Sequence, residues 1–189
     1  MATAAHTHTS GHDTLAIKRI GIWLFFVSET FLFGALIATR FYLRGMERPD
    51  EVDQVLGLVI TVVLLLSSLT AYRAESAAAH GDHRGFKWYM LATIALGVAF
   101  IAVVGIEWFE AYQHFPPHTP YGTVFFATTG VHAFHVVTGI IVLAFVAYLG
   151  RRAGHFTPDS YWGVEGAVKY WHFVDVAWVF IYPTLYLIG

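Results

Sequence analysis

Five long apolar stretches dominate this sequence, and they constrain its fold more than any other feature. They run over residues 20–42, 55–72, 88–112, 121–149 and 166–188. Crossing a bilayer as a helix takes about 20 apolar residues. The stretches are continuous rather than alternating, which favours helices over barrel strands. Composition agrees: 57% of the chain is hydrophobic and 13% charged, where a soluble domain carries about 25% charged residues. Mean hydropathy is +0.57. The expected fold is therefore all-α, a polytopic membrane bundle of five transmembrane helices. Residues 1–17 read as a flexible polar leader, without the apolar core of a cleaved signal peptide, and 18–189 as the transmembrane domain.

Punctuation supports these limits. Pro49, Pro116, Pro117, Pro120 and Pro158 fall between the stretches, where a missing backbone donor costs little. Pro183 alone lies inside one, and is expected to kink or fray the end of the fifth helix. No internal repeat is visible, which argues against an inverted-repeat transporter. Lys18, Arg19, Arg73, Arg84, Lys87, Arg151, Arg152 and Lys169 fall on one side, and Arg40, Arg44 and Arg48 on the other. The positive-inside rule then places the N-terminus in the cytoplasm and the C-terminus outside. Aromatic residues such as Trp88, Trp108, Tyr121 and Trp162 cluster at the predicted borders, as interfacial belts do.

The chain has no cysteine and a net charge of −2. That excludes disulfides, iron–sulfur clusters, thiolate copper centres and covalent haem, and nothing points to nucleic acid. Any chemistry falls to the few ionisable residues inside the apolar stretches. Glu29 lies nine residues into the first, about 13 Å deep. A charge at that depth costs roughly 2.5–3.5 kcal/mol, so Glu29 is expected to be protonated or hydrogen-bonded to a neighbouring helix. Two roles stay open for it: a proton-exchanging carboxyl, or a neutral acid tying the first helix to the bundle.

The fourth stretch carries GVHAFHVVTG, placing His132 and His135 on one helical face; the fifth carries KYWHFVDVAW, placing His172 and Asp175 likewise. Such residues would suit a facial-triad metal or a b-type haem. An interhelical hydrogen-bond network is the preferred reading, because two such pairs offer fewer ligands than the doubled Glu-x-x-His of di-iron bundles. Glu107 and Glu110 read as an interfacial pair with their carboxylates toward water. Gly34 and Ala38 suggest close helix contacts. The leader histidines His6, His8 and His12 read as part of a disordered segment rather than a metal site.

The motifs WLFFVSETFLFG, GIEWFEAY, YGTVFFATTGVHAFHVVTG and VEGAVKYWHFVDVAWVFIYPTLYLIG occur in this order. In them the chain resembles subunit III of the haem–copper cytochrome oxidases, over residues 18–189 and in the five-helix bacterial form. Longer members carry two further helices before this region, which partly wall a lipid cleft.

The resemblance implies a non-catalytic subunit with no cofactor and no catalytic centre of its own. Its main partner would be oxidase subunit I, which holds haem and copper, among other respiratory subunits. Its implied roles are to support proton uptake, to protect the enzyme from inactivation and to bind phospholipid. The implied setting is aerobic electron transport in a bacterial inner membrane. By resemblance Glu29 matches the family's buried carbodiimide-reactive glutamate. His132, His135, Glu165, His172 and Asp175 match positions on the two signature helices. Arg151 and Arg152, before His155–Thr157, resemble the segment that meets lipid phosphate. Lys169 departs from the family pattern and is placed to pair with Glu165. The electron donor, cytochrome c or quinol, is not encoded in this chain. Alternatives are a quinol-oxidase or nitric-oxide-reductase-associated relative, an independent haem or metal enzyme using His135, His172 and Asp175, and an ion carrier centred on Glu29.

Overall fold

A computed structural model describes residues 9–42, 47–152, 155–158 and 160–188. Among them are five α-helices: α1 Thr9–Tyr42, α2 Gln54–Ala79, α3 His83–His114, α4 Pro120–Leu149 and α5 Trp162–Tyr182. No strand is formed among the described residues. The helices start where the sequence supplies caps. The Asp53 carboxylate accepts from the backbone N–H groups of Val55 and Leu56, each at 2.9 Å. Asp82 accepts from Gly85 at 2.9 Å, and the Thr119 hydroxyl from Gly122 at 3.1 Å. Each supplies a partner for a first-turn donor that has none within the helix. Gly81 turns the chain between α2 and α3 with φ of 73°, a left-handed conformation that favours glycine.

Helices α2, α3, α4 and α5 pack as a ring, each against its neighbours, and α1 lies outside against α4 and α5. α1 from Thr14, α2, α3 and α4 are long and apolar enough to cross a membrane. α5 carries Glu165, Lys169 and Asp175 within its 21 residues, and the ring encloses its apolar face. The surface is that of a membrane bundle. Leu24, Phe31, Leu65, Ile141 and Phe145 point outward, while Ser67, Thr93, Thr129, His132 and Asp175 are buried. Lipid offers no driving force to bury leucine, so packing and polar contacts select the interior.

Trp171 is the hub of that interior. It is fully buried and its indole N–H donates to Ser67 Oγ on α2 at 2.9 Å. A Cβ on Gly97 of α3 would stand 2.6 Å from its ring, and one on Gly139 of α4 2.8 Å. Both glycines are therefore required by the indole between them. Two turns later, Trp178 N–H donates to Thr61 Oγ1 at 2.9 Å.

The structure departs from the sequence reading at several points. Helices α2 and α3 extend past the apolar stretches, because residues 73–79 and 83–87 are helical on either side of the turn at Gly81. At Pro183 the α-helical pattern of α5 ends without loss of helical structure. The chain widens there into a π-helical turn, Pro183–Leu187, closed by Ile188 N–H on Pro183 O at 3.1 Å. A proline lacks the N–H that would continue the α pattern. Gly34 and Ala38 do not mediate close helix contacts: both face outward, and a Cβ on Gly34 would meet nothing within 4 Å. His6 and His8 lie outside the described residues, as does the side chain of His12.

Candidate functional site

The membrane-level site forms where α1 crosses α4. Glu29 Oε2 lies 3.1 Å from His135 Nε2. The other ring nitrogen, Nδ1, is 2.8 Å from the Val131 carbonyl one turn earlier. A carbonyl only accepts, so Nδ1 carries a hydrogen. The bond between Nε2 and Glu29 then holds one proton, on the carboxyl or on the imidazole, and the pair is neutral overall either way. This is how an acid and a histidine coexist at depth without a net buried charge. Both side chains are largely covered, at 17% exposure for Glu29 and 9% for His135.

The pair is braced from α5. The Thr138 and Tyr170 hydroxyls are 2.7 Å apart, and both also approach the His135 carbonyl. Phe33 packs on the His135 ring at 5.2 Å between centroids. In front of the pair lies an open cleft of about 730 Å³ between α1 and α4, walled by Phe25, Leu32, Phe134, Val142 and Tyr170. An acid–base pair at the floor of an apolar cleft can exchange a proton with whatever enters it.

The other candidates separate from this pair. His132 shares a helical face with His135 by spacing, but its ring enters the core between Phe33, Phe100 and Trp178. His172 Nδ1 bonds Ser68 Oγ on α2 at 2.6 Å. Asp175 is buried at 3% exposure. Among the described residues no three histidine or carboxylate side chains converge as a metal site.

Glu165 sits at one end of the bundle. It accepts from Lys169 Nζ, as the four-residue spacing suggested, and from Arg19 Nη2 on α1 at 3.4 Å. Both cations lie over the Trp162 ring, at 5.7 and 5.6 Å. Arg19 thus ties α1 to α5, while the Lys169–Glu165 pair lies within α5. Because Arg19 remains on Glu165, Lys169→Leu is expected to cost less than about 1 kcal/mol in thermal unfolding. Near the same end, Arg151 covers Tyr148 at 5.7 Å. With Lys87 it borders a cleft of about 280 Å³ whose other walls, Leu91, Ile94, Ala144 and Ala147, are apolar. Arg152 is exposed beside it.

At the opposite end, Glu107 is buried, not turned to water, and accepts from the Tyr186 hydroxyl at 2.9 Å. Helical phase separates it from the exposed Glu110. Arg40 Nη2 donates to Ile188 O at 3.0 Å and lies over the Tyr121 ring, whose hydroxyl donates to Leu185 O at 2.6 Å. Sequence reasoning missed this knot, since tyrosines in apolar runs look like interfacial anchors. The π-helical turn that presents Leu185 and Tyr186 leaves no sequence signal beyond Pro183. Tyr186→Phe is expected to destabilise the bundle by about 1–3 kcal/mol, the cost of a buried acid losing its partner, read as a lower unfolding temperature in detergent.

The comparisons with known proteins bear on the whole chain. A family model described as cytochrome c oxidase subunit III matches residues 2–189. The chain is similar to cytochrome c oxidase subunit 3 of Thermostichus vulcanus, 32% identical over 183 residues, covering 94% of this chain and 90% of the relative. It is 30% identical over 190 residues to that of a Synechocystis species, covering 97% and 80%. It is 36% identical over 194 residues to that of Neurospora crassa, covering 95% and 71%. With a match from one end to the other and five helices in the expected order, this membrane chain belongs to the cytochrome c oxidase subunit III family.

Proposed function

We propose that the chain serves as the non-catalytic subunit III of a haem–copper terminal oxidase of the cytochrome c oxidase type, in a bacterial inner membrane. Its N-terminus is cytoplasmic and its C-terminus outside, as the lysine and arginine distribution favours. Subunit I carries the haem and copper, and this chain stabilises it and supports its proton uptake. The observation that carries this reading is the Glu29–His135 pair sharing one proton at the floor of a cleft, in a chain matched along its length by the family.

Within that role, Glu29 exchanges protons and His135 is its partner. His132, Glu165, His172 and Asp175 hold the helices in register for subunit contact. Arg151, with Arg152 beside it, meets lipid phosphate, the acyl chains lying on the apolar wall of the Lys87–Arg151 cleft. Electrostatic attraction of lysine and arginine for anionic headgroups supports this.

The test is to purify the tagged chain from its native membrane in mild detergent. A large haem-bearing multi-helix protein is expected to accompany it in equal amount, and the separated chain is expected to show no haem absorbance. Stoichiometric haem or iron on the separated chain would overturn the accessory role.

A further inference from the structure

Five polar atoms deep in the bundle have no hydrogen-bond partner among the described residues: both ring nitrogens of His132, both carboxylate oxygens of Asp175 and the hydroxyl of Thr128. None of the three side chains is more than 3% exposed. They lie along one interface. Thr128 and His132 are four residues apart on α4, so they share a face. The His132 ring is 4.9 Å from that of Trp178, and Asp175 precedes Trp178 by one turn on the buried face of α5.

The rings packed on His132 cannot satisfy its nitrogens. Phe33, Phe100 and Trp178 press on His132 with ring carbons. The Trp178 N–H is spent on Thr61. Ser68 on α2 has one hydrogen to give to Asp175, and its oxygen also lies 2.6 Å from His172 Nδ1, so it can serve at most one of the two Asp175 oxygens. Buried polar groups are almost always satisfied, by protein or by ordered water. Lipid supplies neither a donor nor an acceptor at this depth.

We propose that α4 and α5 enclose an ordered water site, in which water bridges His132 to Asp175. Water both donates and accepts, so it can give a hydrogen to the Asp175 carboxyl and complete either tautomer of His132. Two to four such bonds are what a buried water requires. The bridge locks α4 to α5 inside the ring and is independent of the proton-exchange reading of Glu29.

The test uses the assembled oxidase carrying His132→Leu, Asp175→Leu or both. The readouts are a high-resolution map and the rate at which this chain is released from the complex on warming in detergent. The map is expected to show density within hydrogen-bond distance of His132 and Asp175. Each single variant is expected to release about tenfold faster. The double variant is expected to release about tenfold faster as well, because its second change removes a bond already broken. Asp175→Asn keeps a partner for the water and is expected to stay within about twofold of the parent; it serves as the reference if the leucine variants fail to assemble. A dry site in the map, a direct His132–Asp175 bond, leucine variants released no faster than the parent, additive effects in the double variant, or Asp175→Asn releasing as fast as loss of the bond predicts would each overturn the bridge.

Discussion

Trp171→Ala is expected to lower the stability of the bundle by about 3–5 kcal/mol, in the range for truncating a buried large aromatic. One side chain from α5 fills the space between Gly97 of α3 and Gly139 of α4 and donates to Ser67 of α2. Its removal therefore loosens three interfaces at once. In lipid the loss is one of packing rather than of hydrophobic transfer, since acyl chains are as apolar as the core. It is still large, because the atoms lining a void lose their dispersion partners outright. The cavity would lie at the centre of the ring, where the helices relax least. Unfolding of the purified chain in mixed detergent micelles measures the effect. Trp23→Ala is the control, because Trp23 is 60% exposed on α1 and its truncation is expected to change little. Equal losses from the two variants would refute Trp171 as the hub.

That contrast shows what the sequence conveys and what it hides. Five helices and their order are legible because each apolar stretch has to be long enough to cross a bilayer, a constraint that needs no tertiary contact. Which face of each helix turns inward is not legible, because lipid-facing and core-facing positions are equally apolar. Gly34 and Gly139 look alike in sequence, yet one faces outward and the other receives an indole. Glu29 stands out as an acid in an apolar run, and the need for a partner on another helix follows from its depth. The identity of that partner does not follow. His132 and His135 are both plausible by spacing, and only the crossing of α1 over α4 selects His135. The setting of Glu107 is hidden for the same reason: an acid near a helix end usually reaches water, and it is the turn after Pro183 that places Tyr186 over it.

The second large effect is expected at the Glu29–His135 pair, where two substitutions of similar size should behave in opposite ways. Glu29→Gln keeps the shape, and its amide N–H can donate to His135 Nε2. The oxidase is expected to assemble with less than about 1 kcal/mol of loss, while the exchangeable proton on the carboxyl is gone and proton uptake slows. Glu29→Leu leaves Nε2 without a partner at the floor of an apolar cleft, at a cost of about 1–3 kcal/mol. A reagent that attacks only protonated carboxyls, such as a hydrophobic carbodiimide, reads the proton directly. It can approach Glu29 through the cleft between α1 and α4. In the parent chain the His135 ring competes for the shared proton, so His135→Leu is expected to raise the labelling rate of Glu29 severalfold, and Glu29→Gln to abolish labelling at this site. Labelling of His135→Leu at the parental rate would mean that Glu29 holds its proton without regard to His135. Failure of Glu29→Gln to assemble would make the carboxyl a structural tie rather than a site of proton exchange.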